Sequence, residues 1–196
     1  ERLYRIALFD GPGDNDPKPV EASWGDLVSE LSSFTVTDCR EPDPEKPDRE
    51  GACIGHHCPH KKVAAWSPTD YADDCEARSD AAVRALTLAV FDLDGEAPNP
   101  EDSATPERMA DLAEALQGIR YACHATHTHG SYRLVLPLAE NVSPGDWPRV
   151  WKMIRDHYRI PADPKCANTS RIYFFPSKPH GRGPGEFYLG EGAPLD

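Results

Sequence analysis

The sequence predicts an α+β domain: a mixed, mostly antiparallel sheet with helices packed on it. Three observations carry this expectation. From Ala85 to Phe175 the elements run strand, helix, strand, strand, helix, strand. The two middle strands are separated by a short turn containing Gly130, as a hairpin requires. Each of the two helices has a single apolar face, which must be buried against a sheet. The order is that of a split β-α-β unit.

Taken in chain order, Leu3–Phe9 reads as an opening strand, closed by Gly11-Pro12-Gly13 and an acidic turn. Ser23 can cap a short helix whose apolar positions Trp24, Leu27, Val28 and Leu31 follow the i, i+3, i+4, i+7 rule. Cys39–Lys62 has no regular period, and four acidic residues and three prolines lie between Glu41 and Asp48. This stretch is expected to be a Cys/His-containing insertion or loop, residues 39–62, within a single domain spanning 1–196. Ala85–Asp94 is a buried strand that turns acidic at its end and stops at Gly95. Thr105-Pro106 places an N-cap before a proline at the first helical position, with Met109, Leu112, Ala113 and Leu116 on one face and Gly118 just past the end. Ile119–Ala125 and Tyr132–Leu138 form the expected hairpin. A second helix starts near Ser143 or Asp146 and carries Trp147, Val150, Trp151, Ile154 and Tyr158 at helical spacing; Arg171–Phe175 is a last short strand.

Composition bounds the function. Of 196 residues, 39% are apolar and 28% charged, which suits a folded globular chain rather than a disordered one. The longest mainly apolar run, Ala85–Phe91, falls far short of the ~20 residues that span a bilayer, so no membrane partner is expected. Six cysteines without regular pairing favour reduced thiols and a cytoplasmic setting. Glu1 is not an initiator residue, so the sequence reads as a piece of a longer native chain, expected to be its N-terminal part. The net charge of −12 is unevenly spread: residues 1–119 carry −15 and residues 120–196 carry +3. An acidic first part joined to a basic second part suits one face built for an anionic ligand.

Three clusters can carry chemistry. Asp92 and Asp94, at i and i+2 on a strand, project from one face while Phe91 and Leu93 point into a core. Two carboxylates at a strand end make a hard-oxygen site suited to Mg²⁺ or Mn²⁺, ions that keep waters and bind substrate phosphates. The stretch Cys123–Arg133 brings three of the eight histidines to one hairpin tip, directly before Arg133. Its His127, His129, Ser131 and Arg133 suit phosphate oxygens. The third cluster, Asp163–Arg171, offers an acid to complete a metal cage and an arginine for a phosphate or a carboxylate.

Together, Phe91-Asp92-Leu93-Asp94-Gly95, the segment THTHGSYRLVLPL, and Asp163 followed by TSRIYFFPS resemble the archaeo-eukaryotic primase superfamily, in its primase-polymerase branch of phages, plasmids and integrated elements. The run-up from Lys62, with Ala65-Trp66, Pro68 and Tyr71, is similar to that branch as well, so the resemblance covers about residues 62–179. It implies an RRM-like catalytic core and two-metal nucleotidyl transfer: a DNA primase/polymerase that makes or extends primers on single-stranded DNA during replication of a mobile element. Carried over by position, Asp92 and Asp94 match the first-motif metal ligands and Asp163 the third-motif acid, with Mg²⁺ or Mn²⁺ as cofactor. The second motif of the family presents a histidine just inside its strand, where this chain has Arg133. His129, His127 and Arg133, with Ser131 beside them, are therefore all candidates to hold the nucleoside triphosphate, and Arg171 matches a basic position accompanying the third motif. Arg149, Lys152, Arg155 and Arg159, on or near one helix, are expected to touch template phosphates. A helicase domain or protein is an expected partner.

Two other functions fit some residues. His127-Thr128-His129 with Tyr158 imitates the paired histidines and helical tyrosine of HUH-type rolling-circle nucleases. A replication-initiation module that binds DNA without polymerase activity is the non-enzymatic reading. Finally, Cys53-Ile54-Gly55-His56-His57-Cys58-Pro59-His60 can supply thiolate and imidazole ligands for a structural Zn²⁺. Cys53, Cys58 and His60 are the expected ligands, with Cys39 or Cys75 as a fourth; the alternative is a surface loop with reduced cysteines.

Overall fold

The computed structural model describes residues 2–11, 13–40, 58, 63–94 and 103–196. In chain order the elements are β1 (Leu3–Phe9), β2 (Lys18–Ser23), α1 (Trp24–Ser32), β3 (Thr35–Arg40), β4 (Ala65–Ser67), β5 (Thr69–Tyr71) and β6 (Val83–Leu93). They continue with α2 (Pro106–Ala115), β7 (Tyr121–Ala125), β8 (Tyr132–Val142), α3 (Trp147–His157), β9 (Tyr173–Phe174), β10 (Ser177–His180) and β11 (Phe187–Gly190). The chain is α+β, and its strands form a four-stranded sheet ordered β2-β1-β4-β9, a five-stranded sheet ordered β11-β7-β8-β6-β5, and a β10-β3 pair. The β3–β10 pair is parallel, and the pairings within both larger sheets are antiparallel.

Local chemistry explains the helix starts. Ser23 and Asp26 form a reciprocal capping box at α1, and the Thr105 hydroxyl accepts the Arg108 N–H at α2, whose first residue is Pro106. Gly118, at φ 78°, occupies the left-handed conformation that releases the chain after α2.

Strand β6 sorts the core into two layers because its side chains alternate. Phe91 and Leu93 belong to one cluster with Leu112 of α2 and Trp147, Trp151 and Ile154 of α3. Leu88 and Val90 belong to the other, with Trp24, Leu27 and Leu31 of α1 and Tyr4, Ile6, Trp66 and Tyr173 of the four-stranded sheet. The sequence leads to one sheet with helices packed on it; in the structure α2 and α3 cover one face of the five-stranded sheet, and α1 and a second sheet cover the other. The reason is that β6 is apolar on both faces along Leu86–Phe91, so both faces must be shielded from water.

Other boundaries shift as well. The expected last strand, Arg171–Phe175, contracts to Tyr173–Phe174, and β10 and β11 follow it. Cys39, taken as the first residue of the loop, is buried within β3; residues 41–57 and 59–62 lie outside the described residues. Among the described residues no helix is long and apolar enough to cross a membrane.

Trp151 stacks on Phe91 with ring centroids 4.8 Å apart, and its Nε1–H donates to the Val90 carbonyl at 3.2 Å. Trp151→Ala is expected to cost about 3–5 kcal/mol in urea unfolding. Met153→Ala, two residues along the helix and exposed, is expected to stay within about 0.5 kcal/mol of wild type.

Candidate active site

The alternation that buries Leu88 and Val90 places Asp92 and Asp94 on the same face, beyond the edge of the apolar layer. Both line a cavity of about 290 Å³, together with Asp163, Arg133 and Arg171. Register explains the arrangement. Arg133 of β8 stands opposite Asp92 of β6 on one side and His124 of β7 on the other, so the three form a row across the sheet. Arg133 Nε–H donates to Asp92 Oδ1 at 2.8 Å and Nη1–H to the Phe174 carbonyl at 2.7 Å, while the guanidinium carbon lies 4.8 Å from the centre of the Tyr173 ring. Arg171 Nη2 approaches Asp92 Oδ2 at 3.6 Å. Asp92 is thus bracketed by two guanidinium groups, and Arg133 is largely buried.

His124 is fully buried in the same wall. Its Nδ1 lies 2.9 Å from the Ala125 carbonyl, and Nε2 has no hydrogen-bond partner among the described residues. Burial, and after it the positive charge of Arg133, push the imidazole down to about 3. A neutral ring that donates from Nδ1 carries its lone pair on Nε2, so this atom is a hydrogen-bond acceptor at the cavity wall.

The segment bearing Asp163 and Arg171 is anchored in the core by Ile160, Ala162 and Cys166, and polar contacts hold it as well. Ser67 Oγ donates to the Arg171 carbonyl at 2.8 Å, Thr69 Oγ1 to the Thr169 carbonyl at 2.7 Å, and Arg78 Nη1 to the Ser170 carbonyl at 3.0 Å. Asp80 accepts from Thr169 Oγ1 at 2.8 Å and from the Ser170 N–H at 3.2 Å. Cys166 sits in the cavity beside Asp92 and Arg171, its thiol pushed up to about 12 chiefly by burial.

A second, larger cavity of about 950 Å³ adjoins the first, with Thr128 and Tyr132 lining both. Its wall is mostly apolar, from α2, β7 and Tyr188, and it also takes in His129 and Ser131. The expected phosphate ligands are therefore divided: Arg133, Arg171 and His127 border the acidic cavity, while His129 and Ser131 border the apolar one. His127 and His129 do not line one cavity, and Tyr158 lies at the C-terminal cap of α3. The three aspartates share a cavity, but their oxygens are not all within 4.8 Å of one another. On α3, Arg149, Lys152 and Arg155 pair with Asp146 or Asp156, and Arg159 follows the helix at φ 52°.

Among the described residues, the close group of potential metal ligands is Cys39, Cys58 and His127, whose donor atoms all lie within 4.8 Å of one another. The group contains two of the expected ligands, Cys58 and Cys39 of β3, together with His127 of the β7–β8 turn; Cys75 is not in the group, and Cys53 and His60 lie outside the described residues. It also gives His127 a second neighbourhood besides the phosphate role expected of it, since its Nε2 lies 3.2 Å from Cys39 Sγ. Sequence reasoning did not single out His124. The hairpin register was its one available signal, because pairing the two predicted strands brings position 124 opposite position 133.

No family model matches the chain, and no curated protein matches it. Among solved structures, the AEP domain of the cyanophage S-2L primase-polymerase (PrimPol) is similar, at 13% identity and a TM-score of 0.49, over 98% of this chain and 83% of that one.

Two predictions arise from the row His124–Arg133–Asp92. Asp92→Ala leaves a buried guanidinium without its carboxylate, and is expected to cost about 1.5–3 kcal/mol in chemical unfolding, whereas Asp94→Ala is expected to cost little. For His124, the folded state binds its proton less readily than the unfolded chain, so stability rises with pH between about 3 and 6.5. The contribution is complete above about pH 6.5 and is lost as pH falls, by up to about 1.4 kcal/mol per unit. Unfolding measured from about pH 5 to 6.5 should therefore show a shallower slope in His124→Asn than in wild type.

Proposed function

We propose that this chain is a template-dependent nucleotidyltransferase of the primase-polymerase type, acting on nucleoside triphosphates and single-stranded DNA. The observation that carries the reading is the convergence of Asp92, Asp94 and Asp163 with Arg133 and Arg171 in one cavity. These residues come from three distant segments, in the order in which the sequence resemblance places its three motifs.

The chemistry suits phosphoryl transfer. Three carboxylates against two guanidinium groups leave the cavity acidic, and divalent ions would balance it. Mg²⁺ commonly binds through one or two carboxylates, several waters and substrate phosphates, so the aspartates need not crowd around a single point. A carboxylate offers about four lone-pair directions, and the two arginines use only part of Asp92's. In this reading Asp92, Asp94 and Asp163 would hold the ions, which would supply activation of a 3′-hydroxyl and neutralisation of the charge on a departing pyrophosphate. Arg133 keeps Nη2 for a phosphate oxygen, and Arg171 stands on the same wall. The adjoining apolar cavity would take the base and sugar. Arg149 and Lys152, exposed on α3, would meet the template backbone. Mn²⁺ can replace Mg²⁺ at such oxygen ligands. Priming in the cytoplasm during replication of a mobile element, next to a helicase, is the setting that this activity would serve.

The clean variant is Asp94→Asn, because Asp92 also neutralises Arg133. Incorporation of labelled nucleotide on a primed single-stranded template is expected to fall by at least ~10²-fold, with the circular-dichroism spectrum and unfolding midpoint unchanged. Undiminished incorporation by Asp94→Asn would remove the metal role of that residue. Template binding without incorporation by the wild-type protein, in Mg²⁺ or Mn²⁺, would favour a DNA-binding module instead.

A further inference from the structure

Beside the acidic cavity, one cluster has no part in nucleotidyl transfer as described above. Cys39 and Cys58 are both buried and form a small cluster of their own, separate from the two apolar layers. His127 is buried against them, with Nε2 3.2 Å from Cys39 Sγ. All three donor atoms fall within 4.8 Å of one another. A tetrahedral zinc ion, with bonds of about 2.3 Å to sulfur and 2.0–2.1 Å to nitrogen, holds its ligand atoms roughly 3.5–3.8 Å apart, so a modest closing or opening of the group would seat one.

The surroundings of the histidine favour a metal as well. His127 Nδ1 lies 3.2 Å from Ser177 Oγ, and Ser177 is buried on β10. With Nδ1–H donating to that hydroxyl, the tautomer is fixed and the lone pair on Nε2 points toward the sulfur atoms; such an outer hydrogen bond is what orients metal-bound histidines. Thr37 Oγ1 lies 3.2 Å from Cys39 Sγ and is positioned to turn its proton toward a thiolate. Arg182 Nη1 donates to the His127 carbonyl at 2.9 Å, which holds the backbone of the turn.

We infer that Cys39, Cys58 and His127 hold a structural Zn²⁺ that ties the β7–β8 turn to β3 and to the segment entering at Cys58. Two thiolates and one neutral imidazole make a donor set that zinc prefers to Mg²⁺ or Mn²⁺. The site is buried and its histidine is on the turn, so the ion acts as a clip rather than a reaction centre. His127 also borders the acidic cavity, and the clip would fix one wall of it. This inference is independent of nucleotidyl transfer, because its readouts are metal content and stability.

The test is metal analysis of the full chain purified without chelator, combined with the visible spectrum after Co²⁺ exchange. About one zinc per chain and a cobalt spectrum with thiolate charge-transfer bands are expected. Cys39→Ser, Cys58→Ser and His127→Ala should each lower zinc content at least ~10-fold relative to wild type, as loss of one ligand from a structural site predicts, while Cys75→Ser retains it. Should a ligand variant fail to fold, chelator treatment of the wild-type protein supplies the second measurement: its melting temperature should fall and recover on adding Zn²⁺ but not Mg²⁺. Fewer than ~0.2 zinc per chain would overturn the assignment, because a site of this type with ~10–16 kcal/mol of binding energy keeps its ion through purification. So would a Cys39–Cys58 disulfide in the protein purified under reducing conditions, or zinc that survives both cysteine substitutions.

Discussion

The period-two alternation of β6 is the constraint on which the rest of the molecule depends. Phe91 and Leu93 must lie under α3, and this sends Leu88 and Val90 to the opposite layer and Asp92 and Asp94 past its edge. A slip of one residue would exchange the side chains of the two layers and carry Asp92 and Asp94 onto the face covered by α2 and α3, so the register is strongly specified. The Trp151 indole helps hold it by donating to the Val90 carbonyl, a contact one residue before the face changes from the packed to the polar part. The acidic cavity is therefore a by-product of core packing: the strand runs on two residues beyond the point where apolar cover ends.

What stabilises charge at that point is a row of three side chains with opposed demands. Asp92 and Arg133 satisfy each other, and the Tyr173 ring and Phe174 carbonyl hold the guanidinium in place. Burial, and after it the same guanidinium one strand away, makes a positive charge costly on His124. The row is thus one cation, one anion and one neutral acceptor. The cavity wall combines acceptor oxygens of the aspartates with donors of the two arginines, while His124 is buried.

Legibility in the sequence followed the range of the signal. The α1 cap at Ser23, the Thr105-Pro106 start of α2, the hairpin around Gly130 and the apolar stripe of α3 are set within ten or so residues, and each was readable. Strands β4 and β5, three residues each on either side of Pro68, are too short to show alternation. Their function is polar anchorage, through Ser67 and Thr69, of a loop about a hundred residues later. The parallel pairing of β3 with β10 likewise has no local signature, since its partners are brought together by the whole intervening chain. The acidic cavity was legible in part: Asp92, Asp94, Asp163, Arg133 and Arg171 could be named, but the fixing of Arg133 by Asp92 could not. The thiol–imidazole group was legible only in part for the same reason. Spacing groups Cys58 with neighbours in sequence, whereas the fold brings it Cys39 and a histidine 88 residues beyond Cys39.

The β7–β8 turn is where these separate constraints meet. Thr128 lies in the wall between the two cavities, and His127, one residue earlier, sits against Cys39 and Ser177. Gly130, at φ 72°, supplies the left-handed step that closes the turn, and the Thr126 N–H bonds the Ser131 carbonyl across its base at 2.8 Å. A turn of six residues with little apolar content cannot hold such a position by packing alone. Its location must come from outside: from Arg182 on its carbonyls, from Ser177 on its imidazole, and from the sulfur atoms beyond. These restraints come from β3, β10 and the segment after it, the parts of the chain added around the strand–helix pattern that the sequence displays openly. Those additions position the wall shared by the two cavities, and so set the room beside Asp92.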